Sequence, residues 1–396
     1  MKQDAYQSRY RWIILWLLWL LYIAFGLVAR SIFPLITPIL NDLHMSYSQM
    51  GFILGSWQLT YILVALVAGT ILDRWGVRKS IFAGALIIGL SASSRYYTNG
   101  FLTMLIAIAL FGVGGPMISI GGPKTISEWF SGRSRGIAVG IYTTGPWIGG
   151  LMALALTNSL VMPLVGDSWR LTFVCYGTLT FMIALLWLFW AQEGSSNSDT
   201  SGASIIEVFS KLIAVRNVQM LLIMALFSFA VSHGFSSWLP KIFEENGMSA
   251  SQAGLTASIP IATGIPALLF IPSLIPPRFR GQTIAIFALM TTVNLVLVMK
   301  LSGTPLYIAL LVLGFVSSPF MSLMLLILME SPGVEPRYMG AAGGMFFCIA
   351  EIGGFTGPSL MGILVDVTGN FMAGTIFLAT LCIAIAIMTF FIKAER

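Results

Sequence analysis

The sequence predicts an all-α membrane protein of twelve transmembrane helices in two pseudo-symmetric six-helix bundles. Three observations carry that expectation. Of 396 residues, 57% are hydrophobic and 9% are charged, against about 25% charged in an ordinary soluble domain, so the chain lacks the polar surface to dissolve as a globule. Its apolar residues fall into twelve runs, each long enough to cross a hydrocarbon core about 30 Å thick. One polar, low-complexity stretch, Gln192 to Gly202, separates the first six runs from the last six.

The first six runs cover 12–37, 48–72, 80–97, 101–126, 136–160 and 170–190. The first opens with Trp12, Trp16 and Trp19, amphipathic rings suited to the headgroup level. It has the length of a full span and no small-residue cleavage site, so the N-terminus is expected to be retained. The second six runs cover 217–240, 251–274, 282–300, 305–329, 340–365 and 371–392. With a cytosolic N-terminus, Lys2, Arg9, Arg11, Arg74, Arg78, Lys79, Arg133, Arg135, Lys211, Arg216, Arg278, Arg280, Arg337, Lys393 and Arg396 all fall inside, and only Arg95, Arg170, Lys241 and Lys300 fall outside. The positive-inside rule then places both termini in the cytosol and the chain in the cytoplasmic membrane.

Residues 192–202 read as a flexible linker. Just after it, Ile205, Ile206, Phe209, Leu212 and Ile213 recur at helical spacing beside Glu207, Lys211 and Arg216, which predicts a short amphipathic helix on the inner leaflet. The expected domains are therefore 1–191 and 217–396, with 192–216 between them. The net charge of +6 is spread over short loops rather than one polar face, so membrane lipids, and not nucleic acid, are the expected partner. Cys175, Cys348 and Cys382 lie inside apolar runs with no metal-ligand spacing, so no disulfide framework, metal site or cofactor is expected.

The halves are related. His44-Met-Ser-Tyr-Ser-Gln-Met-Gly51 matches Gly247-Met-Ser-Ala-Ser-Gln-Ala-Gly254, and both precede the second run of their half. Arg133, Gly136, Gly140, Gly149 and Gly150 recur as Arg337, Gly340, Gly344, Gly353 and Gly354 at nearly the same displacement. Two matches at one offset indicate parallel six-span repeats, which place a substrate site between them near the bilayer midplane.

Between the second and third runs stands Gly69-Thr-Ile-Leu-Asp73-Arg74-Trp-Gly76-Val-Arg78-Lys79. Asp73 stops the apolar run, Gly76 turns the chain, and the basic pair anchors the loop at the cytosolic face. This stretch resembles the cytoplasmic signature of the major facilitator superfamily. Gly145-Pro146-Trp-Ile-Gly149-Gly150 in the fifth span resembles the core of the signature of that superfamily's antiporters, and Gly357-Pro358 echoes it in the eleventh. The resemblance implies the major facilitator fold, a secondary transporter working by alternating access, spans 1, 4, 7 and 10 around a central cavity, and gating at Asp73, Arg74, Gly76 and Arg78 and at the two Gly-Pro pairs. Within the superfamily the first half looks most like bacterial anion and monocarboxylate permeases of the cyanate and nitroimidazole type. That likeness rests on Arg30, Arg95 and Gly112-Val-Gly-Gly115 leading to Ile126-Ser-Glu-Trp-Phe130 before Arg133 and Arg135-Gly136.

Charges inside lipid cost roughly 2.5 to 3.5 kcal/mol each, so those present need a reason. Arg30 lies in span 1, Lys124 towards the inner end of span 4 and Glu351 in the middle of span 11; His233 in span 7 corresponds to Arg30 under the repeat. A guanidinium in mid-span can fork onto a carboxylate; it can equally form a structural salt bridge, Glu351 being one partner. Lys124 can bind substrate, snorkel to the cytosol or pair with Glu128. Glu351 can take up and release a proton, or be a fixed counter-ion. His233 can switch protonation state or simply donate a hydrogen bond. Trp57, Tyr61 and Tyr142 can line the cavity or serve as packing.

These observations predict a proton-coupled transporter of a small anion, acting as a monomer. A multidrug or cation exporter is the alternative, favoured by the span 5 motif, but it would want carboxylates in mid-span in the first half. No nucleophile, base and orienter can be placed together and no phosphate loop precedes a helix, so an enzyme is not expected.

Overall fold

The structure, a computed structural model, describes residues 2–193, 205–331, 333–335 and 338–392. Linker residues 194–204 and the basic residues Arg337, Lys393 and Arg396 lie outside the described residues. Every regular element described is a helix, and eleven of the helical stretches are long and apolar enough to cross a membrane. The twelfth expected span, the third in order, is the 18-residue helix Val77–Ser94, whose first turn carries Arg78 and Lys79.

The chain forms two compact units. The first comprises Met1–Met45, Ser56–Ser198 and Gly247–Leu255. It contains α1 (Lys2–Arg30), α2 (Ile36–Leu43), most of α3 (Tyr47–Trp75), α4 (Val77–Ser94), α5 (Phe101–Trp129), α6 (Gly132–Thr143), α7 (Gly145–Leu156), α8 (Met162–Leu164) and α9 (Trp169–Trp190). Two expected spans are each divided. The first breaks after Arg30, where Pro34 opens a 3-10 turn over Phe33–Leu35; the fifth breaks at Thr144, where Pro146 cannot donate to the preceding turn. Leu18, Leu21, Ile88, Phe111, Ile118 and Trp187 form the core of this unit. Glycine sets how closely α7 lies on α1: a Cβ at Gly149 would stand 2.0 Å from the Ile23 carbonyl oxygen.

The second unit comprises Ser46–Gly55, Asp199–Asn246 and Thr256–Arg396. It contains α10 (Ile205–Ile213), α11 (Arg216–Glu245), most of α12 (Ala250–Leu274), α13 (Arg280–Lys300), α14 (Gly303–Ser317), α15 (Phe320–Met329), α16 (Met339–Thr368) and α17 (Met372–Thr389). Its tenth span divides between α14 and α15, at Ser318-Pro319. Leu221, Met224, Ala288, Leu323, Phe346 and Ile385 form the core. Here α16 lies on α11 as α7 lies on α1, with a Cβ at Gly353 only 1.9 Å from the Leu226 carbonyl oxygen. The sequence repeat is therefore also a repeat of one helix contact.

Two details differ from the sequence reading. The amphipathic helix α10 has a protein partner: Leu212 is buried in the core of the second unit, with Phe209 packed against it. The repeated Met-Ser-x-Ser-Gln motifs also mark the two places where the compact units depart from the halves of the chain. The start of α3 belongs to the second unit, and the start of α12 to the first. In the second unit, Asp366 of α16 accepts hydrogen bonds from the backbone N–H of Tyr47 (3.1 Å) and Ser48 (2.8 Å), and from the Ser48 hydroxyl.

Candidate functional site

In the first unit, Arg30 is the last residue of α1, held beside the break that Pro34 enforces. Its guanidinium lies over the ring of Trp147 at 5.5 Å. Gly150 makes the room, since a Cβ there would meet the Arg30 Cδ at 2.6 Å. Partly buried, Arg30 makes no ion pair or hydrogen bond with any described residue, so its five donors remain for a ligand.

A second cation, Arg95, is buried at the same end of α1. It packs over Phe173 at 4.7 Å and donates long hydrogen bonds to the Val28 carbonyl (3.4 Å) and the Ser31 hydroxyl (3.3 Å). Both acceptors flank Arg30, so Arg95 braces the turn that positions it.

Two turns of helix before Arg30, roughly 12 Å along the axis, Tyr22 organises a polar cluster that sequence reasoning missed. Pro123 has no N–H, which frees the carbonyl of Ser119 in α5. The Tyr22 hydroxyl lies 3.3 Å from that oxygen and 3.1 Å from the Ile118 carbonyl. Gly122 admits the ring, since a Cβ there would stand 2.3 Å from the Tyr22 oxygen. Tyr61 shares a 2.6 Å hydrogen bond with the Ser119 hydroxyl. Tyr142 meets Tyr22 edge-on at 5.1 Å, and Trp57 meets Tyr61 edge-on at 6.1 Å. The structure thus brings together Trp57, Tyr61 and Tyr142 around a tyrosine they do not neighbour in sequence. The signal that could have found Tyr22 was Gly122-Pro123, a broken helix needing a donor from a neighbour.

Lys124 does not join this cluster. It pairs across helices with Asp73 at 2.5 Å, near the end of α3. The remaining signature residues build the turn into α4. Gly76 sits at φ +82°, and the Glu193 carboxylate accepts from the N–H groups of Val77 (3.2 Å) and Arg78 (3.3 Å). Arg78 donates to the Leu188 carbonyl, and Arg74 lies exposed in the last turn of α3.

In the second unit, Glu351 sits in the middle of α16, 8% exposed, and its Oε2 has no hydrogen-bond partner among the described residues. A buried carboxylate so placed is costly unless it is protonated or paired for part of its cycle. His233 has its Nδ1 3.2 Å from the Phe229 carbonyl of its own helix, and its ring lies 5.0 Å from that of Phe229. Gly357 continues the close contact of α16 with α11, a Cβ there lying 2.2 Å from the Ala230 oxygen. The Pro358 carbonyl accepts from the Trp238 indole at 3.1 Å.

Comparison with known proteins decides the family. Residues 18–358 match the family model described as Major Facilitator Superfamily. The chain belongs to the major facilitator superfamily. As a member of it, the protein is a multi-pass membrane transporter and not an enzyme. It is 24% identical over 370 residues to a hexuronate transporter of Bacillus subtilis (strain 168), covering 88% of this chain and 87% of that one. It is 22% identical to a probable galactarate/D-glucarate transporter of Escherichia coli (strain K12), covering 86% and 85%. A quinolone resistance transporter of Acinetobacter baumannii is 24% identical over 395 residues, covering 89% and 87%. The fold is that of a D-xylose-proton symporter (TM-score 0.82, 15% identity, covering 97% and 98%) and of a bacterial homolog of the human lysosomal transporter Spinster (TM-score 0.77, 18% identity, covering 96% and 95%).

Proposed function

We propose that this protein is a secondary active transporter of a small organic anion of the sugar-acid class, working by alternating access with a proton carried on Glu351. The observation that carries this reading is Arg30: a mid-span guanidinium with no described polar partner, aimed by a helix break and an aromatic ring. A guanidinium recognises a carboxylate through two parallel hydrogen bonds. The hydroxyls of Tyr22, Tyr61, Tyr142 and Ser119 are the groups that would meet the hydroxyls of a sugar acid. Sugar-acid transporters among the relatives support the same class.

Proton coupling has a physical motive. Moving one negative charge against a membrane potential costs about 2.3 kcal/mol per 100 mV, and a proton moving with it cancels that cost. Glu351 is the proposed proton site, with His233 the next candidate. The first-half likeness to cyanate and nitroimidazole permeases would put a smaller anion on the same arginine. The localisation that goes with this reading is the cytoplasmic membrane with both termini cytosolic, and the protein acts as a monomer.

The quinolone resistance relative favours a second reading, a drug or cation exporter. Against it, the described carboxylate side chains of the first unit, Asp42, Asp73, Glu128, Asp167 and Glu193, all stand near helix ends or in connections. Uptake into proteoliposomes of a labelled hexuronate, cyanate and a quinolone tests both readings. Arg30→Ala should abolish hexuronate uptake with folding intact, and Arg30→Lys should restore little of it. Undiminished uptake by Arg30→Ala would sink the anion reading; transport of the quinolone alone would establish the exporter.

A further inference from the structure

A cleft of about 640 Å³ opens between α13, α15 and α17 in the second unit, beside the turn Pro277–Phe279 that joins α12 to α13. From that turn into α13 its lining changes character in one direction. Arg278 of the turn comes first, then Gly281, Gln282, Ala285, Ile286 and Leu289 of α13, which share one face at helical spacing. The stripe is roughly 16 Å long at 1.5 Å per residue, about half the thickness of a bilayer core. Its apolar end faces hydrocarbon: Ile286 is 57% and Leu289 50% exposed.

The charge at the polar end is available. Glu330, the acid in the lining, is engaged by Arg280 in an ion pair. Arg278 has no ion pair with any described residue and rests over the ring of Phe279 at 4.6 Å. A guanidinium in this state suits a phosphate diester. A soluble anion would need polar groups along the whole cleft, and an apolar drug would leave Arg278 unused. A ligand with an anionic head and a hydrocarbon tail matches both ends.

We propose that this cleft binds an acidic phospholipid, with its headgroup phosphate on Arg278 and an acyl chain along Ala285, Ile286 and Leu289. This site is separate from the one built on Arg30, and the proposal does not depend on which substrate is carried.

The test is native mass spectrometry of the purified protein mixed with phosphatidylglycerol or with phosphatidylcholine of the same chains. Wild-type protein, Arg278→Ala and Gly281→Leu are compared. A Cβ at Gly281 has no neighbour within 4 Å, so a side chain can start there, and a leucine narrows the cleft. Wild type should retain one phosphatidylglycerol in preference to phosphatidylcholine, and inorganic phosphate should not displace it. Arg278→Ala should retain about tenfold less, the loss expected for one hydrogen-bonded charge, and Gly281→Leu should also lose it while migrating as a folded monodisperse species. Equal retention of the two lipids overturns the proposal, as does retention unchanged in either variant. Displacement by inorganic phosphate would make the site one for a soluble anion, and so also overturns it.

Discussion

Tyr22 shows how much one side chain can settle in a membrane protein. Its hydroxyl shares one proton between the Ile118 carbonyl and the Ser119 carbonyl that Pro123 leaves without its helical donor, in a region where water is scarce and an unmet carbonyl is expensive. Tyr22→Phe should cost about 1–3 kcal/mol, the price of leaving a buried acceptor without a partner. Gly122→Ala should cost a similar amount, about 1–3 kcal/mol from overpacking, because its methyl group would stand 2.3 Å from the Tyr22 oxygen. Thermal unfolding of the single and double variants checks both. The double variant should lose less than the sum, since removing the hydroxyl takes away the nearest of the clashing atoms and leaves the ring carbons at 2.8 Å. Strict additivity would mean that the two residues do not meet.

At the scale of the helix, the signature turn between α3 and α4 combines two interactions of different strength. The Asp73–Lys124 pair is solvent-accessible, with side chains 51% and 24% exposed. Asp73→Asn should therefore cost at most about 1 kcal/mol. A large change in transport or in cysteine accessibility from either side of the membrane would then report gating, which we propose for Asp73, and not loss of stability. Glu193 is different, because its carboxylate caps the first N–H groups of α4. Replacing it by alanine should cost about 0.5–2 kcal/mol. Hydrogen exchange should show the loss as opening confined to the first turn of α4; uniform destabilisation of the unit would contradict the capping role.

For the whole molecule, the decisive experiment concerns energy coupling. If Glu351 carries the proton, Glu351→Gln still binds substrate and exchanges it across the membrane, because exchange needs no net proton movement. It no longer accumulates substrate when a pH gradient is imposed, because binding of proton and substrate is no longer linked. Counterflow and gradient-driven uptake in the same proteoliposomes separate the two. Continued accumulation by the glutamine variant would remove Glu351 from the coupling role and leave His233 to be tested the same way.

What the sequence determined by itself was whatever rests on local pattern. Twelve apolar runs, the positive loops and the polar linker follow from the thickness of a bilayer and the cost of charge within it, and each reads residue by residue. The repeat was legible too, because Gly149 and Gly353 lack side chains for one reason, the contact with a carbonyl of the first helix of each half. Arg30, Glu351 and His233 stood out because few charged or titratable residues enter these runs. Tertiary structure alone decided the partners. Lys124 meets Asp73 from another helix, Tyr22 meets a carbonyl freed by a distant proline, and Glu193, read from sequence as the second residue of the flexible linker, returns to cap α4. It also gave α10 a protein surface for Leu212 where the pattern suggested only lipid. An apolar face reads alike whether it meets hydrocarbon or a neighbouring helix, and a hydrogen-bonding group does not record which residue, far along the chain, will satisfy it.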